Sequence, residues 1–290
     1  MKKNSFFKPK FFVLIFLFLA IGAFAERTQE YPQKTLVADS KISEPLFDLL
    51  KIMQIKCDRD ISCVVKETQK KWLRKNERWE TDEIEIDRKR VIPLLEKLNY
   101  VNEIVPEGNE YDYCLLLGAS FSSFESRMGY LTELLKKNVR FKELVFLGGK
   151  RPLADLEKKL ILKKFPLEKM PENEIEMMRL VFDKSPLSEI EKIKLTFVTA
   201  DLQIKNGQLV RPNTEDTLRK WLLECKPVFG KCLAISNQPY IGYQRAVLKM
   251  VLNGFSVETV GRKALDDEKI SVYLDSLARE LYQEAKRLNL

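Results

Sequence analysis

The rhythm of apolar and polar residues changes twice along this chain. Residues 11–20 form one unbroken apolar run. Residues 45–55, 61–73 and 91–98 instead carry apolar side chains three and four apart, the spacing of amphipathic helices. After Pro106, Glu107 and Gly108 short apolar runs begin, at 113–117, 144–147, 195–198, 232–235 and 255–260, each too short for a stable helix. Between and after them lie amphipathic stretches of helix length at 124–137, 172–183, 214–224, 240–252 and 267–288. Such alternation predicts an α/β fold: a Rossmann-like, mostly parallel sheet of about five strands flanked by helices, with an N-terminal helical extension. Ser122 ahead of Glu125 and Asn213 ahead of Asp216 mark two helix starts, each a capping side chain three residues before an acid. For Asn213, capping alone accounts for the residue type.

The first apolar run has the layout of a secretory signal. Lys2, Lys3, Lys8 and Lys10 precede it, and Ala23-Phe24-Ala25 supplies small residues for cleavage after Ala25. Its 15 apolar residues, 11–25, fall short of the ~20 that span a bilayer. The expected organisation is a signal peptide over 1–25, an irregular arm over 26–43, a helical extension over 44–109 and the α/β domain over 110–290. Trp72 and Trp79 are expected to pack the extension onto that domain. A periplasmic or secreted protein follows, the alternative being an uncleaved inner-membrane anchor facing the periplasm, the one case that involves the membrane. Without those four lysines the formal charge falls from +8 to +4, and no dense basic stripe with interleaved aromatics occurs. A nucleic-acid partner is therefore not expected.

Export makes disulfides available to the five cysteines, and Cys57 with Cys63 and Cys225 with Cys232 are the pairs closest in sequence. The alternative is that all five are small core residues. Cys114, inside an apolar run, reads as a buried thiol. Histidine is absent altogether, which excludes Ser-His-Asp and Cys-His catalysis in their usual forms and histidine-ligated zinc. No C-x-x-C pair occurs either, so no metal is expected. Any acid or base must be Asp, Glu, Lys, Tyr or Cys.

Open parallel sheets bind ligands outside the carboxyl ends of their strands. There this chain has Gly118-Ala119-Ser120, then Gly148-Gly149-Lys150-Arg151, then Ser236-Asn237-Gln238, with Arg127 and Arg245 in the helices that follow. Small residues let backbone approach a ligand, and the basic ones favour phosphate or carboxylate. An ordinary turn with exposed charges is the alternative for 148–152. Neither a Walker A loop nor a G-x-G-x-x-G fingerprint is present, so the cofactor stays unassigned.

The order of these pieces resembles the SanA/YdcF/ElyC-like family of bacterial envelope-associated domains. The resemblance covers about residues 111–261 and is carried by Leu115-Leu116-Leu117-Gly118-Ala119 with Arg127, Leu147-Gly148-Gly149, Glu174 with Met178, Asn213-Thr214, and Ser236 with Arg245-Ala246. It implies a polar pocket at the strand ends and a role in envelope integrity or peptidoglycan-related metabolism. Gly118, Arg127, Gly149, Glu174, Asn213, Thr214, Ser236 and Arg245 fall on family motif positions. The family's usual histidine before the Arg-Ala pair is replaced by Ile241-Gly242-Tyr243-Gln244, and Thr217 stands where a second asparagine is common. Glu174 is then the candidate base or hydroxyl-gripping residue, although an acid at a helix start also suits the helix dipole. Arg127 and Arg245 are expected to hold the anion, with Ser120 or Asn213 orienting it. The expected ligand is an anionic small molecule or a lipid-linked cell-wall intermediate, acted on by an envelope enzyme. The alternative is a non-enzymatic integrity factor or ligand sensor whose helical extension engages an envelope protein. A nucleotide- or adenosylmethionine-binding domain is a third reading, from fold analogy alone.

Overall fold

A computed structural model describes residues 36–38, 41–74, 84–166, 169–189, 193–205 and 207–288. The expected signal peptide, residues 26–35 of the arm, and Trp79 lie outside them. Two short paired strands, β1 (Val37–Ala38) and β2 (Lys41–Ile42), lead into the helices α1 (Glu44–Ile52), α2 (Ile61–Trp72) and α3 (Arg88–Lys97). The α/β part then runs β3 (Glu110–Leu117), α4 (Phe121–Lys136), β4 (Arg140–Gly149), α5 (Asp155–Lys164), α6 (Glu174–Asp183) and β5 (Lys194–Ala200). A hairpin of β6 (Gln203–Lys205) and β7 (Gln208–Val210) follows, then α7 (Thr214–Cys225), β8 (Lys231–Asn237), α8 (Ile241–Val251), β9 (Ser256–Arg262) and α9 (Ile270–Leu288).

All five expected strands form, and they pair in parallel in the order β5-β4-β3-β8-β9. Their side chains alternate between two cores. Cys114, Leu116, Leu144 and Phe146 face one side, against Phe124 and Met128 of α4 and Met178 and Phe182 of α6. Leu115, Leu117, Val145 and Leu147 face the other, against Leu218 and Trp221 of α7 and Val247 and Leu248 of α8. With both faces buried the strands read as continuous apolar runs, as parallel strands do. The Phe146 and Phe197 rings stack with centroids 4.3 Å apart across β4 and β5.

A third core lies outside α8. Leu46 and Leu49 of α1, Val64 and Trp72 of α2, and Val91 and Leu95 of α3 close on Leu274, Leu277 and Leu281 of α9. Each such side chain contributes roughly 1.5–3 kcal/mol when fully buried. The boundary expected at 109/110 therefore divides the chain and not the cores, because the last helix completes the extension's core. The end of the arm is also more ordered than its polar sequence implies: Leu36 and Ile42 are buried in that same core.

Cys57 and Cys63 form a disulfide across the start of α2, where Asp60 caps the N–H groups of Ser62 and Cys63. The pairing of Cys225 with Cys232 does not form. Cys225 ends α7 on the surface, whereas Cys232 points from β8 into the core, so the two thiols face different environments. Cys114 is the buried free thiol expected. The helix start expected at Ser122 is also corrected. Only Gly118, Ala119 and Ser120 separate β3 from α4, and Phe121 enters the core at once, so Ser120 is the N-cap. Glu125 instead pairs with Lys164 of α5. Among the described residues no helix is long and apolar enough to cross a membrane.

Candidate functional site

After β3 the chain winds outward through β4 to β5, then crosses to β8 on the other side of β3. Connections leaving β3 and β8 thus go to opposite faces of the sheet, which opens a crevice at their carboxyl ends. A cavity of about 410 Å³ occupies that crevice, within the size range of small-molecule sites. One wall carries Gly118, Ala119 and Ser120 from the β3–α4 turn and Ser123 from the first turn of α4, with Arg151 and Glu174 beside them. The other carries Thr214 and Thr217 of α7, Tyr240, Tyr243 and Gln244 at the start of α8, and Arg279 of α9. Val210, Arg211 and Pro212, leaving the β6–β7 hairpin, also border it.

Glu174 is the first residue of α6, and its carboxylate is buried. Its Oε2 accepts the Gly149 N–H at 3.1 Å, and its Oε1 lies 3.6 Å from Arg151. A Cβ on Gly118 would come within 3.0 Å of that carboxylate, so the glycine lets the acid approach the end of β3. Arg151 in turn makes a two-pronged pair with Glu157, at 2.7 and 3.0 Å. Glu157 accepts the N–H groups of Phe121 at 3.1 Å and Ala154 at 2.9 Å, which locks the start of α4 to α5.

Burial alone would raise the Glu157 pKa, but Arg151 and the two N–H donors outweigh it and hold the carboxyl below its ordinary value. A lowered folded pKa adds stability that is fully present above the unfolded titration range near pH ~4.3 and is lost as pH falls through the folded value. Glu157→Gln should therefore destabilise the protein at neutral pH and flatten its loss of stability on acidification. Urea denaturation between neutral and acid pH reads both, and an unchanged acid limb would contradict the assignment.

Arg279 reaches the opposite wall from the helical layer. It pairs at 2.9 and 3.0 Å with Asp275, whose carboxylate also accepts the backbone N–H of Arg74 at 3.1 Å and its guanidinium at 2.9 Å. The end of α2 thus fixes an arginine that lines the crevice. Neither N-cap residue here, Ser120 of α4 or Tyr240 of α8, caps with its own side chain, and at α4 Glu157 takes the first N–H instead. By contrast α7 is self-capped, Asn213 accepting the Asp216 N–H at 3.1 Å and Asp216 accepting the Asn213 N–H at 2.9 Å. The start of α8 therefore borders the crevice with backbone donors that its N-cap side chain leaves unserved.

Of the residues singled out from sequence, Gly118, Ala119, Ser120, Arg151, Glu174, Asn213 and Thr214 line the cavity. The others stand behind it or on its rim. Arg127 is buried and donates to the Leu117 and Gly118 carbonyls at 2.6 and 3.0 Å and to Asn237 Oδ1 at 2.9 Å. Arg245 is buried against Glu280 of α9 at 3.0 Å. The expectation that these two arginines grip the ligand is corrected: they brace the strand end and the α8–α9 interface. Ser236 donates to Gln244 Oε1. Gly148 packs under Met178 and Ile175, and Gly149 under Pro212, so a Cβ at either would collide. Lys150 points outward to Asp201 at 2.7 Å, and with Lys220 it holds that carboxyl down at about 2. Arg211, Tyr240, Arg279 and the supporting Glu157 were not expected. The one sequence signal for Arg279 is its acid partner four residues earlier, Asp275.

Among the described residues no group of three or more His, Cys, Asp or Glu side chains is placed to hold a metal ion. No protein-family model matches this chain, and no curated protein matches it either.

Proposed function

We propose that the strand-end crevice binds a small phosphate- or carboxylate-bearing ligand, and that the protein is an exported envelope component acting on such a compound in cell-wall or lipid-linked precursor metabolism. The observation that carries the binding reading is the lining itself: three guanidinium groups, Arg151, Arg211 and Arg279, against the single lining carboxylate of Glu174, beside the start of α8, where the N-cap residue Tyr240 makes no side-chain cap. The lysine-flanked apolar segment and the resemblance to SanA/YdcF/ElyC-like domains support the envelope setting. Glu174, held by the Gly149 N–H and facing Arg151, takes the role of base or hydroxyl acceptor.

Isothermal titration with inorganic phosphate and with a dicarboxylate tests the site. Arg211→Ala and Arg279→Ala should each weaken binding about tenfold or more, the worth of one charge-assisted contact. Unchanged affinity in both variants would refute the reading. The non-enzymatic alternative draws on Glu174 itself, since an acid tied to Gly149 and facing Arg151 also suits a purely structural role. Under that alternative Glu174→Gln leaves ligand affinity and the protein's effect on the envelope unchanged.

A further inference from the structure

Resting on the anion-site reading, we infer that Arg74 is a positioning residue for that site: docked on Asp275, it sets Arg279 to grip the anion, so the helical extension governs the affinity of the crevice. Arg74 is not among the residues that line the cavity. Its guanidinium reaches Asp275 Oδ2 at 2.9 Å and its backbone N–H reaches Oδ1 at 3.1 Å. Arg279 serves the same two oxygens, Nε on Oδ2 at 2.9 Å and Nη2 on Oδ1 at 3.0 Å. Those bonds occupy one edge of its guanidinium fork and leave Nη1 to donate to a ligand.

Asp275 and Arg279 stand four residues apart on α9, and alone they would form a plain ion pair in which the acid neutralises the arginine. Arg74 changes that pair in two ways. It shares the carboxylate, so Asp275 offsets the charge of Arg279 less completely, and it brings each oxygen to two donors, which fixes the plane of the Arg279 fork. Burial pushes the Asp275 carboxyl up, but Arg279 and Arg74 outweigh it and hold the carboxyl below its ordinary value, so the acceptor stays ionised. The Arg74 and Asp275 side chains are only 8 % and 2 % exposed, whereas Arg279 is 40 % exposed and needs holding. A long side chain already held in its bound arrangement loses less freedom when ligand arrives. Gln69 of α2 adds a second hold on this turn of α9, donating to the Ala278 carbonyl at 2.7 Å, and Val64 and Trp72 anchor α2 in the core of the extension.

Titration calorimetry of the full chain with inorganic phosphate tests this role through Arg74→Met, which removes the guanidinium and keeps the backbone N–H. Phosphate binding should weaken about fivefold or more in Arg74→Met, and less in Arg74→Lys. In the Arg279→Ala background Arg74→Met should change nothing further, because its effect passes through that side chain. Wild-type affinity in Arg74→Met, or a full additional loss in the double variant, would overturn the role of Arg74 and leave the anion site standing. Hydrogen exchange of the wild-type chain needs no variant. Because coupling is reciprocal, saturating phosphate should slow exchange of the Arg74 N–H, whose acceptor is Asp275, more than that of α3 N–H groups beside the same core. No slowing at Arg74, or equal slowing in α3, overturns it as well. If the wild-type chain binds no phosphate, the anion reading itself falls, and the role of Arg74 with it.

Discussion

Arg127→Ala is expected to destabilise the protein by about 3–5 kcal/mol while leaving its secondary structure recognisable. Only 1 % of Arg127 is exposed, and its guanidinium serves three acceptors at once, the carbonyls of Leu117 and Gly118 and the side chain of Asn237. Those carbonyls end the central strand, and the asparagine ends its neighbour β8. Hydrogen bonds from a charged donor contribute roughly 1.5–3 kcal/mol each, and truncation also leaves a void and buried carbonyls without donors. Relief of one buried charge offsets part of that loss. For a domain of this size such a loss lowers the melting temperature by roughly 10 °C. Arg127→Lys should rescue little, because a single ammonium cannot reach three acceptors arranged for a planar fork. Chemical denaturation measures the change. A loss under about 1 kcal/mol would show that the strand end does not depend on this side chain.

The second large effect is expected between the layers. Arg245 of α8 and Glu280 of α9 pair at 3.0 Å with side chains 9 % and 2 % exposed, and the Tyr100 hydroxyl donates to the same carboxylate. Burial and that carboxylate hold the Tyr100 phenol well above its ordinary pKa, so it stays a neutral donor. Glu280→Ala should cost about 3–5 kcal/mol, because it strands a buried guanidinium and a buried phenol together. Arg245→Met combined with Glu280→Leu should cost clearly less than the two single changes added, since apolar residues of similar volume replace the pair without leaving a lone charge. Additive losses in a double-mutant cycle would contradict the coupling.

Both predictions concern residues that the sequence marked for a different task. Arg127 and Arg245 follow strand ends, which is where a ligand-gripping arginine also stands, and local spacing cannot separate the two roles. The difference lies in partners more than 30 residues away, Asn237 for one and Glu280 for the other. The sheet was legible because both its faces are covered, which leaves uninterrupted apolar runs. Helix α5 was not: six of its ten residues are charged, and one of the two it buries is an acid, Glu157. The β6–β7 hairpin is too short to give a period, yet it delivers Arg211 to the crevice. Arg279 sits on the C-terminal helix, whose sequence reads only as amphipathic. Its place in the site depends on α9 lying between α8 and the extension. What the sequence made readable was therefore the crevice and its first wall, with Gly118, Ser120 and Glu174. The second wall depends on how three helical layers stack.

The central claim is that the crevice between these walls is an anion site. A crystal structure of the protein grown at saturating inorganic phosphate tests it most directly. The account predicts a phosphate in the crevice, held by N–H groups at the start of α8 and by Arg211 or Arg279. A crevice containing only water under those conditions, with Glu174 and Arg151 undisturbed, would contradict it.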